Sequence, residues 1–388
     1  MSTSLVEFLK KGSAPDFESE RGVSCSGELP SPSDPSLVER ARQAKSRLGS
    51  RVMILGHHYQ RDEVIQFADI TGDSFKLAQA AAENRDAELI VFCGVHFMAE
   101  SADILTSKEQ RVILPDLAAG CSMADMATLN QVREAWKVLE EVGIAGSTIP
   151  VTYMNSSAAI KSFTGEHGGT ICTSSNAERA MRWALEQGER ILFLPDQHLG
   201  RNTAVRRLGM SLEDCVLYNP WQPRGGLSDR ELQEAKVILW RGHCSVHGRF
   251  SLKNVQDRRA EIPGVSILVH PECPHEVVLA ADHVGSTEMI ISTVRNAPAG
   301  SKWAIGTELN LVKRLAIENP EKEIHFLDKT ICYCSTMNRI DLPHLVWALE
   351  SLVSNDVVNV ISVDEKTAHF SRIALERMLA LPEINFKD

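Results

Sequence analysis

The chain has 388 residues, of which 43% are hydrophobic and 24% charged, with a formal net charge of -10. That length exceeds one ordinary hydrophobic core and predicts two or three domains of a globular protein. The acidic balance and the lack of a long Lys/Arg run argue against a nucleic-acid partner, but a small anionic substrate needs only local positive charge.

The opening MSTSLVEFLKKG is short and amphipathic, and Asp16, Glu18 and Glu20 follow where an export signal would need an apolar run. No stretch of ~18 uncharged apolar residues predicts a membrane span. Nine cysteines without an export signal are expected to stay reduced, in the cytoplasm, and to serve metal or redox chemistry where they sit in polar loops. Residues 1–36 read as a flexible leader, since Lys11 to Ser36 is rich in Ser, Pro, Gly and Glu.

From Leu37 onward, short apolar runs alternate with helical stretches, the pattern of a parallel α/β protein. The runs fall into three sets. The first is Val52–Gly56, Leu89–Gly94 and Val112–Asp116; the second is Ile149–Asn155, Gly169–Thr173 and Ile191–Asp196. The third is Val237–Arg241, Ser266–His270, His283–Gly285, Trp303–Gly306 and Ile324–Asp328. Each set delivers His, Tyr, Asn, Ser, Thr or Glu just after its strands, in GHHYQ, TYMNSSAAIK, HPECPHEV, CTSSNAERA and GSTEMI. Ligands bind at that carboxyl edge of open parallel sheets, and helix amino termini there favour carboxylate or phosphate. The expected architecture is three similar three-layer α/β/α domains with parallel sheets, in pseudo-three-fold symmetry around one central site. Domain 1 is placed at 37–121, completed by 335–388; domain 2 at 122–243; domain 3 at 244–334. The C-terminal stretch LPHLVWALESLVSNDVVNVISV reads as a buried helix and a strand.

Three cysteines lie in loops near these boundaries: Cys121 in AAGCSMADM, Cys244 in WRGHCSVHGRF and Cys334 in ICYCSTMNRI. Three thiolates meeting at one point suit a soft metal centre. Zinc normally takes four ligands from C-x-x-C pairs, which are missing here; an iron–sulfur cluster on three cysteines leaves one iron open for Lewis-acid chemistry. Spacing alone leaves both open.

The motifs GHHYQRDEV, FADITGDSF, VFCGVHFMAES, LPDLAAGCSMAD, VTYMNSSAAIK, TSSNA, LPDQHLGRN, WRGHCSVH, VHPECP, VGSTEMI and CSTMNRI, in this order, resemble the quinolinate synthase A family from about Ala41 to Trp347. The resemblance implies condensation of iminoaspartate with dihydroxyacetone phosphate to quinolinate in NAD biosynthesis, with loss of phosphate and two waters. It implies a [4Fe–4S] cluster on Cys121, Cys244 and Cys334, whose open iron acts as Lewis acid, and a pathway link to L-aspartate oxidase. By motif, His57 and Tyr59 handle protons and the triose carbonyl. Ser74 and Ser174 bind carboxylate or phosphate, with Ser175 the neighbouring alternative to Ser174, and Thr287 contacts a substrate carboxylate. Tyr153 and Asn155 hold the intermediate, while His270 binds substrate and Glu272 acts as acid or base.

Ser335 follows Cys334 where many members have proline; Met337 keeps the C-x-x-M spacing, so Cys334 is assigned as ligand and Cys332 as its neighbour. Cys93 and Cys172 are expected in the core, Cys273 beside the HPE motif but not a ligand, and Cys25 in the leader. His96 and Glu100 are assigned to packing, Asp196 and His198 to a domain junction, and Met123 and Met126 to helical packing. A hinged binding protein without catalysis and a zinc hydrolase are the competing readings. The first predicts colourless protein, the second zinc without acid-labile sulfide.

Overall fold

The computed structural model describes residues 29–330 and 333–381. Most of the leader, with Cys25, and also Cys332 lie outside the described residues. The chain forms two compact units. The first takes the described residues up to Asp125 together with Tyr333–Val363, and the second takes residues from Met126 and from Asp364.

In the first unit, β1 (Val52–His57), β2 (Ile70–Gly72), β3 (Leu89–Cys93) and β4 (Arg111–Ile113) form a parallel sheet in the order β4-β3-β1-β2. A short strand, Val360–Ile361, adds antiparallel to β4. Every residue of β1 and β3 is buried, as expected for strands covered by helices on both faces. Helix Leu37–Leu48 packs along helix Leu342–Val353, and Arg40 clamps Glu350 through Nε–Oε1 (2.8 Å) and Nη2–Oε2 (2.7 Å).

The second unit holds two parallel sheets. One contains β5 (Thr148–Tyr153), β6 (Thr170–Cys172), β7 (Arg190–Leu194), β8 (Cys215–Tyr218) and β9 (Val237–Trp240), in the order β6-β5-β7-β9-β8. The other contains β10 (Ser266–Val269), β11 (His283–Val284), β12 (Lys302–Gly306) and β13 (Glu323–Phe326), in the order β11-β10-β12-β13. Leu192, Leu194, Ile238 and Trp240 centre one core; Ile267, Val269, Val277 and Ala304 centre the other.

The α/β class and the three parallel-dominated sheets agree with the sequence reading. Three details differ. Val237–Arg241 was expected in the third set, but β9 lies in the second sheet between β7 and β8, because lateral strand order leaves no local pattern. β2 and β8 went unread: β2 has three residues within a polar motif, and β8 is a half-buried edge strand. Residues 335–388 were expected to complete the first domain. Val360–Ile361 does join the first sheet, whereas helix Glu365–Ala380 packs on helix Ala158–Glu166 in the second unit. There Ser371 Oγ donates to the Ala158 carbonyl at 2.9 Å, and Gly165 admits the Phe370 carbonyl where a Cβ would not fit. Among the described residues no helix is long and apolar enough to cross a membrane.

Candidate active site and metal centre

The three sheets repeat one device. In each, a strand ends on or beside a chemical side chain: His57 closes β1, Tyr153 closes β5, and His270 follows β10. Its parallel neighbour then leads toward a helix with a hydroxyl near its start: Ser74 and Thr287 are the first residues of the helices after β2 and β11, and Ser174 lies in the turn after β6, three residues before helix Ala177–Gln187. Asp73 caps the first helix by accepting the N–H groups of Phe75 and Lys76, both at 3.0 Å, and Ser286 caps the third through Met289 N–H. Donors at helix starts, beside open peptide N–H groups, suit anionic oxygens. Ser174 is half-buried and Ser175 exposed. A cavity of about 490 Å³ in the second unit is lined by Ser174, Arg179, Asn202, Arg206, Arg207 and Ser286 among others.

The three loop cysteines share a second device. Each is followed, three residues on, by a short 3-10 turn: Ala124–Met126, His247–Arg249 and Met337–Arg339. Each cysteine carbonyl accepts the N–H four residues ahead, from Asp125 (3.4 Å), Gly248 (2.9 Å) and Asn338 (3.0 Å). Cys121 and Cys334 belong to the first unit and Cys244 to the second. Surrounding protein pushes the Cys121 thiol up to about 12, and the nearby Cys334 adds to this, while N–H groups of Ala124 and Met123 aimed at its sulfur oppose it. N–H donors around a sulfur stabilise a thiolate once a cation neutralises it.

Within the first unit the GHHYQR loop braces the Cys334 turn. Gln60 Nε2 donates to the Met337 carbonyl and Arg61 Nε to the Asn338 carbonyl, both at 3.1 Å. His57 Nδ1 accepts Tyr59 N–H at 3.2 Å, which leaves Nε2 as the protonated nitrogen of a neutral ring; the two rings meet edge to face at 4.7 Å.

Within the second unit Glu272, 3% exposed, is the centre of a buried network. Tyr153 Oη donates to Oε1. His247 Nδ1 lies 2.7 Å from Oε2 and 3.2 Å from Cys244 Sγ, and His247 Nε2 lies 3.1 Å from Thr307 Oγ1. His270 stacks on His247 at 4.4 Å and accepts Glu272 N–H through Nδ1. Burial alone would raise the Glu272 pKa, but the two imidazoles and the Tyr153 hydroxyl hold it well below the usual carboxylate range. Burial, then His247, lowers His270 to about 3, so it is neutral near pH 7. Asp196 goes the other way: burial, then the Glu272 charge, raises it, against N–H groups of Leu199, His198 and Cys244. Asn155 Oδ1 is buried without a hydrogen-bond partner among the described residues.

His247 and Thr307 were not singled out in the sequence; the C-x-x-H spacing was the available signal. Cys93 and Cys172 are buried as expected, Cys273 is buried too, and burial raises all three thiols. His96 sits 3.7 Å from Glu100 on one helix.

The family model described as quinolinate synthetase A protein matches residues 39–380. The chain belongs to this family of enzymes. It is 72% identical to the quinolinate synthase of Streptomyces coelicolor over 97% of this chain and 96% of that one. It is 66% identical to the quinolinate synthase of a Nocardioides species over the full length of both. The Corynebacterium glutamicum quinolinate synthase is 57% identical over 90% of this chain and 88% of its own. Membership in the quinolinate synthetase A family agrees with the resemblance read from the motifs.

Proposed function

We propose that this chain condenses iminoaspartate with dihydroxyacetone phosphate to quinolinate, releasing phosphate and two waters, as a cytoplasmic step of NAD biosynthesis supplied by an L-aspartate oxidase. The observation that carries this reading is the pairing, in all three sheets, of a strand-end side chain with a hydroxyl between the neighbouring strand and its helix, at the helix start for Ser74 and Thr287 and in the preceding turn for Ser174, in a chain of this family. Domain divisions near 121 and 243 go with it.

Cys121, Cys244 and Cys334 each offer a soft donor at the head of the same kind of turn, a donor chemistry that suits an iron–sulfur group. They would hold a [4Fe–4S] cluster, and its open iron would supply Lewis-acid assistance to loss of water. The remaining chemistry belongs to side chains. Ser74, Ser174 and Thr287 bind the anionic ends. Asn155, whose Oδ1 has no partner among the described residues, and Tyr153 hold the intermediate. His57 and Tyr59 serve the triose carbonyl. Ionised Glu272 takes a proton and returns it, with Tyr153 as the hydrogen-bonded acid and neutral His270 beside it.

Anaerobic purification with iron, sulfide and zinc assays tests this directly. Brown protein that forms quinolinate is expected, and Cys121→Ser, Cys244→Ser and Cys334→Ser should each lose the cluster and activity. Colourless protein, or zinc without sulfide, would remove the cluster; a Cys334→Ser variant that keeps its cluster would reassign that ligand.

A further inference from the structure

Cys244, His247 and Glu272 offer a sulfur, an imidazole nitrogen and a carboxylate oxygen within 4.8 Å of one another. We propose that these three donors form a pocket for one soft divalent cation of the zinc class whenever Cys244 is not committed to an iron–sulfur cluster. The site goes beyond the function above and rests on it only where the two metal groups compete for Cys244.

The chemistry of the trio supports it. His247 Nδ1 faces both partners, 3.2 Å from Cys244 Sγ and 2.7 Å from Glu272 Oε2, so a cation among them would have N, S and O donors on one side and an open fourth position. The other ring nitrogen has a partner ready for the required tautomer: with the proton on Nε2, His247 donates to Thr307 Oγ1 at 3.1 Å. That outer contact is what ligating histidines normally have. Tyr153 holds the second Glu272 oxygen, fixing the carboxylate. Binding expels the Cys244 thiol proton to solvent, and a divalent cation with one thiolate and one carboxylate is electrically neutral. Neutrality suits a place where His247 is 2% and Glu272 3% exposed.

The test uses the full-length chain prepared anaerobically without its cluster, with Co2+ and Zn2+ as probes. One cobalt per chain is expected, with a near-ultraviolet thiolate-to-cobalt band that Zn2+ abolishes. Cys244→Ser should lose the band; His247→Ala and the near-isosteric Glu272→Gln should each weaken binding by about tenfold or more. Cys121→Ser should bind cobalt as the parent does. Zinc-loaded protein should take up less iron and sulfide on reconstitution than metal-free protein. No band, a band that survives Cys244→Ser or disappears in Cys121→Ser, or unchanged affinity in folded Glu272→Gln overturns the site. Equal iron uptake with and without zinc overturns the competition. Metal-free protein that accepts no cluster at all refutes the function reading instead, and the cobalt result still decides this one.

Discussion

Asp116 and Arg339 tie the two cysteine loops of the first unit together. Arg339 Nε donates to Asp116 Oδ2 at 2.9 Å, and Asp116 Oδ1 accepts Ala118 N–H at the same distance. Asp116 is 1% exposed and lies five residues before Cys121; Arg339 lies five after Cys334. One buried carboxylate therefore sets the distance between two loops that carry thiols.

Asp116→Ala should cost about 1–3 kcal/mol, chiefly through the Ala118 N–H left without its acceptor. The ion pair itself adds less, since the Arg339 side chain is 43% exposed and solvent screens it. Urea unfolding gives the stability change, and iron per chain after anaerobic reconstitution gives the loop's effect on the thiols. An unchanged midpoint together with unchanged iron would refute the tie.

Asn202 does the corresponding work for the loop that carries His270 and Glu272. Its Nδ2 donates to the carbonyls of Pro271 (2.8 Å) and Cys273 (2.9 Å), and its Oδ1 meets His275 Nδ1 at 2.7 Å. Asn202→Ala leaves two carbonyls unsatisfied, for a loss of about 1–3 kcal/mol. Because the loop presents Glu272, kcat should fall more than KM rises. A variant that is less stable but keeps normal kcat would make Asn202 a scaffold residue only.

Much of the fold was legible in the sequence, and the side chains proposed for the site stand at chain positions that local pattern marks. His57, Tyr153 and His270 end apolar runs, and Ser74 and Thr287 follow capping residues at helix starts. What escaped depends on neighbours distant in sequence. His247 reveals its role only through Glu272, 25 residues on, and Thr307, 60 residues on. The place of β9 inside the second sheet and the packing of helix Glu365–Ala380 on helix Ala158–Glu166 are likewise choices of tertiary contact.

His198 predicts a pH dependence of stability. Burial first, then the Arg201 and His243 charges, lowers its pKa to about 4, and its Nδ1 is buried without a partner among the described residues. The unfolded chain binds that proton near pH 6.5, so between pH 6.5 and about 4 it holds more protons than the folded chain. Stability from this group is therefore level above pH 6.5 and declines as pH falls toward 4. His198→Gln should flatten the slope of unfolding free energy against pH in that window, measured by urea titrations at several pH values. Identical slopes in variant and parent would show that His198 titrates normally.

Gly242 makes the sharpest steric prediction. It stands two residues before Cys244, and a Cβ there would collide with the Pro195 carbonyl oxygen and press on Met126 Cβ at 3.3 Å. The backbone oxygen cannot rotate away as a side chain would, so the strain must move the Pro195–Asp196 segment or the cysteine loop. Both are already joined: Gln197 N–H donates to the Gly242 carbonyl at 3.0 Å, and Asp196 accepts the Cys244 N–H. Gly242→Ala should cost about 1–3 kcal/mol by overpacking and lower cluster loading by displacing Cys244. Gly146→Ala is the control, because nothing lies within 4 Å of a Cβ at that position; its stability should change by no more than about 0.5 kcal/mol. Thermal unfolding and iron per chain, measured for both variants, decide the matter: a Gly242→Ala protein as stable and as iron-rich as Gly146→Ala would mean that the Cys244 loop tolerates the displacement.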